Sequence, residues 1–313
     1  MPYKYTGQMQ EAITQELEQQ YNPEQITERR KKAGHTTIPQ KRIYQFVYQN
    51  KSNGEKMNKK LVDELKSFEV LWKGGYFGGD PLNPMAKSDY GQLGFMSVLY
   101  ATYLRCIKPY INNNTVSLEI GPGRGAWTKA LLPSKEVYAL DALPEEHNQF
   151  FKYLGYPKNV KYFQVKDFKC EMLQDSYFDY TFSFGCLCHV SFEGITEYAV
   201  NIYPKLKQCG NCFWMVADYN KFNSASLNLN SLSVWNALPR RYQLPLKWLL
   251  FLLYRDERKK PPLKADENDP GPGRWYHAGI DKTCSMLEKV GYKVIDADVG
   301  TNFRDPIIHF IKP

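Results

Sequence analysis

Residues 117–127 read SLEIGPGRGAW. An apolar run, TVSLEI at residues 115–120, ends in three glycines at every second position, Gly121, Gly123 and Gly125, before AWTKALL opens a helical pattern. A strand that breaks into a glycine turn and restarts as a helix lets the backbone approach a ligand. It also presents free N–H groups at the helix start. This stretch fixes the frame for everything downstream.

Apolar runs alternate with helical stretches from there onward. EVYALDAL (136–143) reads as a strand and PEEHNQFFKYLG (144–155) as a helix. VKYFQVKDF (160–168) and FDYTFSFGCL (178–187) read as strands, followed by the helix EGITEYAVNIYPKLK (193–207) and the strand NCFWMVADY (211–219). Such alternation predicts a doubly wound parallel sheet with helices on both faces. After a poorly periodic segment come a helix, IDKTCSMLEKVG (280–291), and two strands, YKVIDADV (292–299) and PIIHFIKP (306–313). Those two strands have no helix between them and are expected to pair antiparallel. Upstream, LGFMSVLYATYLRCIKPYI (93–111) reads as one amphipathic helix, and the Gly-, Pro- and Asp-rich stretch 71–92 as a long loop poised over the cofactor.

The spacing of the glycines leaves the ligand open. The dinucleotide fingerprint is G-x-G-x-x-G. Here its third position is Ala126, which that fingerprint tolerates. Glu119 is unwelcome beside a pyrophosphate, whereas a carboxylate beside an ammonium group is electrostatically favourable.

LEIGPGRG resembles the first motif of class I S-adenosylmethionine-dependent methyltransferases, and further motifs follow in order. YALDA resembles the second strand of that family, whose acid, here Asp141, takes the ribose hydroxyls, with Ala142 beside it. VKDF resembles the adenine-binding segment, with Asp167 for the amino group and Phe168 beside the ring. FDYTFSFGCLCHV resembles the fourth strand and its turn, carrying Phe184 and Gly185. The resemblance covers about residues 115–218 and 280–313. It implies a seven-stranded, mostly parallel sheet with an antiparallel last strand, holding S-adenosylmethionine through Glu119, Gly121, Gly123, Gly125, Trp127, Asp141, Ala142, Asp167, Phe168, Phe184 and Gly185. The family often has two adjacent histidines after the fourth strand, and this chain has Cys188 and His189.

The expected organisation is a helical N-terminal extension over residues 1–66 and a methyltransferase domain over 67–313, with a substrate-cap insertion at about 220–279. An oxygen acceptor benefits from a general base, which names His189 and His277 as catalytic candidates beside Asp218 at the end of the fifth strand. Tyr219, Arg240, Arg241, Trp275 and Tyr276 are the candidate substrate contacts. No metal site is expected, because neither CLC (186–188) nor CGNC (209–212) has the second ligand pair a zinc site needs.

The net charge is +8, and its placement is uneven. Residues 1–60 hold 11 Lys/Arg against 6 Asp/Glu, residues 219–280 hold 10 against 5, and the rest holds 20 against 22. Basic flanks favour an anionic or polar acceptor, such as a sugar, a glycan or a phosphorylated metabolite. The aromatic content of the insertion keeps an aromatic or polyketide-like acceptor open. Nucleic acid is disfavoured as a partner, since the turn after the fourth strand lacks the Pro-Pro-aromatic motif of base N-methylation. A non-catalytic binding protein is the remaining alternative, and the acids Glu119, Asp141 and Asp167 speak against it. The polar N-terminus and scattered cysteines lead to the expectation of a cytoplasmic protein with no membrane span. A lid or a homodimer contact is the expected use of the N-terminal extension.

Overall fold

A computed structural model of the chain describes residues 63–68, 76–86, 88, 90–224 and 275–313. The N-terminal extension up to residue 62 and most of the expected cap, residues 225–274 with Arg240 and Arg241, lie outside the described residues.

The glycine loop follows β1 (Val116–Ile120), all five of whose residues are buried. Six further strands join it: β2 (Glu136–Asp141), β3 (Val160–Gln164), β4 (Phe178–Ser183), β5 (Leu206–Met215), β6 (Lys293–Asp296) and β7 (Ile307–Ile311). Their order is β3-β2-β1-β4-β5-β7-β6. The first five are mutually parallel, and β7 runs antiparallel to both of its neighbours. This is the class I methyltransferase fold. The strand order reverses between β1 and β4, so the cleft where ligands bind opens beside the glycine loop.

Helices cover both faces. In chain order they are α1 (Val98–Thr102), α2 (Ala126–Leu131), α3 (Glu145–Asn148), α4 (Phe150–Leu154), α5 (Phe192–Ile202) and α6 (Ile280–Val290). Two cores result. One joins β1, α5 and α6 through Leu118, Ile195, Tyr198 and Leu287, and the other joins α1, α2 and β5 through Leu99, Leu131 and Phe213.

Several boundaries differ from expectation for local reasons. The amphipathic stretch 93–111 is not one helix. Residues 92–97 form a small antiparallel hairpin, α1 starts after Ser97 caps Leu99 at 3.2 Å, and the backbone widens to a π-turn at Tyr103–Ile107. The helix expected over 144–155 breaks at Gln149, whose φ is 52°. Pro204 closes α5 early and lets β5 begin at Leu206 instead of Asn211. Asp167 and Phe168 fall beyond the end of β3, in a loop.

Two helix starts are completed by distant carboxylates. Ser191 caps α5 by accepting the Gly194 N–H at 3.2 Å, but the third helical position is this glycine and cannot reach back. Glu64 does so instead, accepting the Ser191 N–H at 2.6 Å and its hydroxyl at 2.7 Å. The helical turn 63–68 is thereby tied to the sheet domain and crosses the expected 66/67 boundary. Asp218 serves two helices: Oδ1 accepts the Lys221 N–H at 2.9 Å and Oδ2 the Ile280 N–H at 2.8 Å. The latter supplies the cap that Gly279, preceding α6, cannot provide.

Candidate active site

Glycine is required at two points of the loop. Gly121 has φ 72°, and a Cβ there would stand 2.2 Å from the Cys186 side chain. Gly123 has φ 52°, and its Cβ would meet the Tyr76 carbonyl at 2.8 Å. The Tyr76 carbonyl also accepts the Arg124 N–H at 3.1 Å, which sets this residue of the 71–92 stretch against the glycine loop. Gly125 starts α2 against Leu154 and Phe150.

An open cleft runs along the loop. Gly121, Gly123, Asp141, Ala142, Gly185 and His189 all line it. Leu65, Phe68, Tyr76, Asn148, Cys186 and Tyr198 complete its walls. Asp141 is half-buried at the end of β2. Its Oδ2 accepts the Gly123 N–H at 3.1 Å and its Oδ1 the Leu143 N–H at 2.9 Å, which locks loop and strand end together. Burial raises the Asp141 carboxyl to about 6 against the pull of these hydrogen bonds.

A second, much smaller compartment shares Tyr76 and Gly121 with the cleft. Its walls include Tyr90, Leu99, Pro122, Trp127 and Phe184. Trp127 and Phe184 pack with ring centroids 4.6 Å apart, and Tyr90 meets Phe184 edge-on at 4.8 Å. Among the described residues no charged side chain lines it.

Other expected site residues sit elsewhere. Glu119 is buried beneath the loop, its Oε2 accepting the Thr128 hydroxyl at 2.6 Å, and burial pushes its carboxyl up to about 8. Asp167 accepts the Lys169 N–H at 2.9 Å within its own turn. Phe168 is a core residue, edge-on to Tyr198 at 4.7 Å. Neither lines either cavity. Tyr219 and Trp275, expected at the substrate, are buried against each other, and the Tyr219 hydroxyl donates to the Trp275 carbonyl. Tyr276 donates its N–H to Cys188 at 3.0 Å.

The two candidate bases differ in kind. His189 ends a 3₁₀ turn after β4 and lines the cleft. His277 Nδ1 accepts the Tyr219 N–H at 3.0 Å. A neutral ring used this way carries its proton on Nε2 and has no free lone pair for a second proton. Burial, reinforced by Lys282 and opposed by Asp218, holds its pKa below the usual histidine value. His277 therefore fastens the start of the 219–224 helix and does not line either cavity. Asp218 is likewise committed, with both oxygens on helix N–H groups.

All seven cysteines are free. Among the described residues no group of three or more His, Cys, Asp and Glu side chains is gathered to hold a metal ion, and no helix is long and apolar enough to cross a membrane.

With this geometry in place, comparison with known proteins finds partial likenesses. Residues 118–213, from the middle of β1 into β5, match the family model described as "Methyltransferase domain". No curated protein matches the sequence. Among solved structures the chain is similar to an S-adenosylmethionine-dependent methyltransferase from Aquifex aeolicus (15 % identity, 65 % of this chain and 85 % of that one, TM-score 0.42). It is similar to one from Mesorhizobium loti (12 % identity, 69 % and 98 %, TM-score 0.44). The N-methyltransferase NodS from Bradyrhizobium japonicum is a third (12 % identity, 68 % and 94 %, TM-score 0.42).

Sequence reasoning missed Asn148, Tyr76, Leu65 and Phe68 as cleft residues. Tyr76 had a signal, since it lies in a loop too long to be a mere connection. Asn148 had none, because an asparagine inside PEEHNQ looks like an exposed helical residue.

Proposed function

We propose that the protein is an S-adenosylmethionine-dependent methyltransferase that O-methylates a polar or anionic small molecule or glycan. The observation that carries the reading is the union of Gly121, Gly123, Asp141, Gly185 and His189 in one cleft at the strand-order reversal. Asp141 fits a ribose, and the loop N–H groups fit the polar end of such a ligand. Bound S-adenosylmethionine supplies an electrophilic methyl group on a sulfonium.

The residues of the chain have a positioning task, since in-line displacement depends on alignment more than on covalent help. His189 accepts the proton of the acceptor hydroxyl as the new O–C bond forms. Tyr76 lines both compartments. The basic balance of residues 219–280 supports an anionic acceptor. The second compartment favours the alternative, an aromatic acceptor, because its walls near the loop are Tyr76, Tyr90, Trp127 and Phe184. Seven free cysteines are consistent with a reducing, cytoplasmic setting.

The test is a metabolite-library screen for S-adenosylhomocysteine release, repeated with His189→Ala and His277→Ala. The expected outcome is a fall in kcat of about 100-fold or more for His189→Ala. His277→Ala is expected to keep kcat and lose thermal stability. Full activity of His189→Ala removes the base from this scheme. Turnover of phenolic acceptors alone decides for the aromatic reading.

A further inference from the structure

Asn148 is fully buried, lines the main cleft and belongs to none of the expected contacts. Its hydrogen bonds fix the orientation of its amide. The Tyr162 hydroxyl donates to the Leu143 carbonyl at 2.6 Å, so it turns a lone pair toward Asn148. Asn148 Nδ2 donates to that lone pair at 2.9 Å, and the amide also donates to the Asp141 carboxylate. Flipping the amide would face its oxygen to a carboxylate and lose both bonds. Oδ1 is left buried with no partner.

Asp141 itself has little capacity to spare. An ionised carboxylate offers about four acceptor positions. Here Leu143, Gly123, Asn148 and the Ala142 backbone all bond to it. A ribose presents two adjacent hydroxyl donors, more than Asp141 can take up alone. The orphaned Asn148 Oδ1 is the neighbouring acceptor. A buried acceptor without a donor is costly, and a ligand hydroxyl removes that cost.

We propose that Asn148 has two roles at this site: its amide N–H positions Asp141, and its Oδ1 accepts a hydrogen bond from one ribose hydroxyl of the adenosyl ligand. The assignment rests on the S-adenosylmethionine reading above. It makes the pair a reader of the vicinal diol, with one hydroxyl on Asp141 and the other on Asn148.

The test is calorimetric binding of S-adenosylhomocysteine and its 2′-deoxy and 3′-deoxy counterparts to the full chain. The wild type is expected to lose at least about tenfold in affinity for each deoxy ligand, since either loss strands a buried acceptor. Asn148→Leu and Asn148→Ser, each checked for an unchanged melting profile, are expected to bind the parent ligand more weakly. Both are expected to become indifferent to one of the two hydroxyls while still sensing the other. A purely structural asparagine would lower all three affinities equally, and that pattern overturns the proposal. Losses under about twofold for both deoxy ligands on the wild type overturn it without any variant. No binding of S-adenosylhomocysteine by the wild type overturns the cofactor reading as well.

Discussion

Glu119 shows how a residue can be found by its motif and still have its role altered by its surroundings. The acid two positions before the first glycine was the reason to prefer S-adenosylmethionine over a dinucleotide. In the fold it is 2 % exposed, bonded to Thr128, and held at about 8 by burial. The folded state therefore binds a proton that the unfolded state, near the ordinary 4.5, has released. Stability must fall as pH rises between those two values, because the native state is the more protonated one. Glu119→Gln keeps an oxygen for Thr128 without the charge. Its Tm advantage over the wild type is expected to grow from pH 5 to pH 8.5 in a melting series, and a constant gap would show that Glu119 is ionised throughout. Asp141 was legible because strand-end acids recur at one place in this fold. The burial of Phe168 was not, since its partner Tyr198 is 30 residues away on α5. The commitment of His277 to Tyr219 was equally invisible, being a backbone contact across 58 residues.

Helices and strands were legible where a single periodic face dictated them, and obscured where a single residue broke the period. β1, β2 and β7 fall where alternation and apolar runs put them. The long helix drawn over 93–111 failed because its first residues turn back on themselves as a hairpin, and its apolar spacing survives that turn unchanged. Helix ends depend on partners that periodicity does not reveal, as Asp218 illustrates. Its place after β5 makes it a catalytic candidate in the sequence, yet it caps both the 219–224 helix and α6. A lost side-chain cap costs about 1 kcal/mol, up to about 2. Asp218→Ala removes two, so a Tm drop of roughly 3–6 °C is expected by calorimetry. Asp218→Asn, which retains an oxygen for one cap, is expected to recover about half of that. Equal stability of Asp218→Ala and wild type would mean that the two helix starts find other partners.

Across the molecule, the mostly parallel seven-stranded sheet with its antiparallel last strand was legible because strands and helices alternate along the chain until the last two strands follow one another directly. The contribution of residues 63–68 was not, because they are tied in through Glu64, 127 residues from Ser191. Leu65 and Phe68, beside Glu64, reach the cleft wall and pack into the core of the sheet domain. Glu64→Ala is therefore expected to weaken ligand binding several-fold with little change in the sheet's own melting, a separation visible by calorimetry and circular dichroism together. Identical affinity in that variant would make the 63–68 turn a passive neighbour of the site. The proposed substrate cap, about residues 220–279, was not legible beyond its composition, which carries charge and aromatic content but little periodicity. The central claim concerns the cleft and is tested most directly by calorimetric titration of the wild type and Asp141→Ala with S-adenosylhomocysteine. The prediction is one site per chain in the wild type and an affinity at least about tenfold weaker in the variant, the loss of a charged hydrogen-bond acceptor. No saturable binding to the wild type, or equal affinity in both proteins, would contradict it.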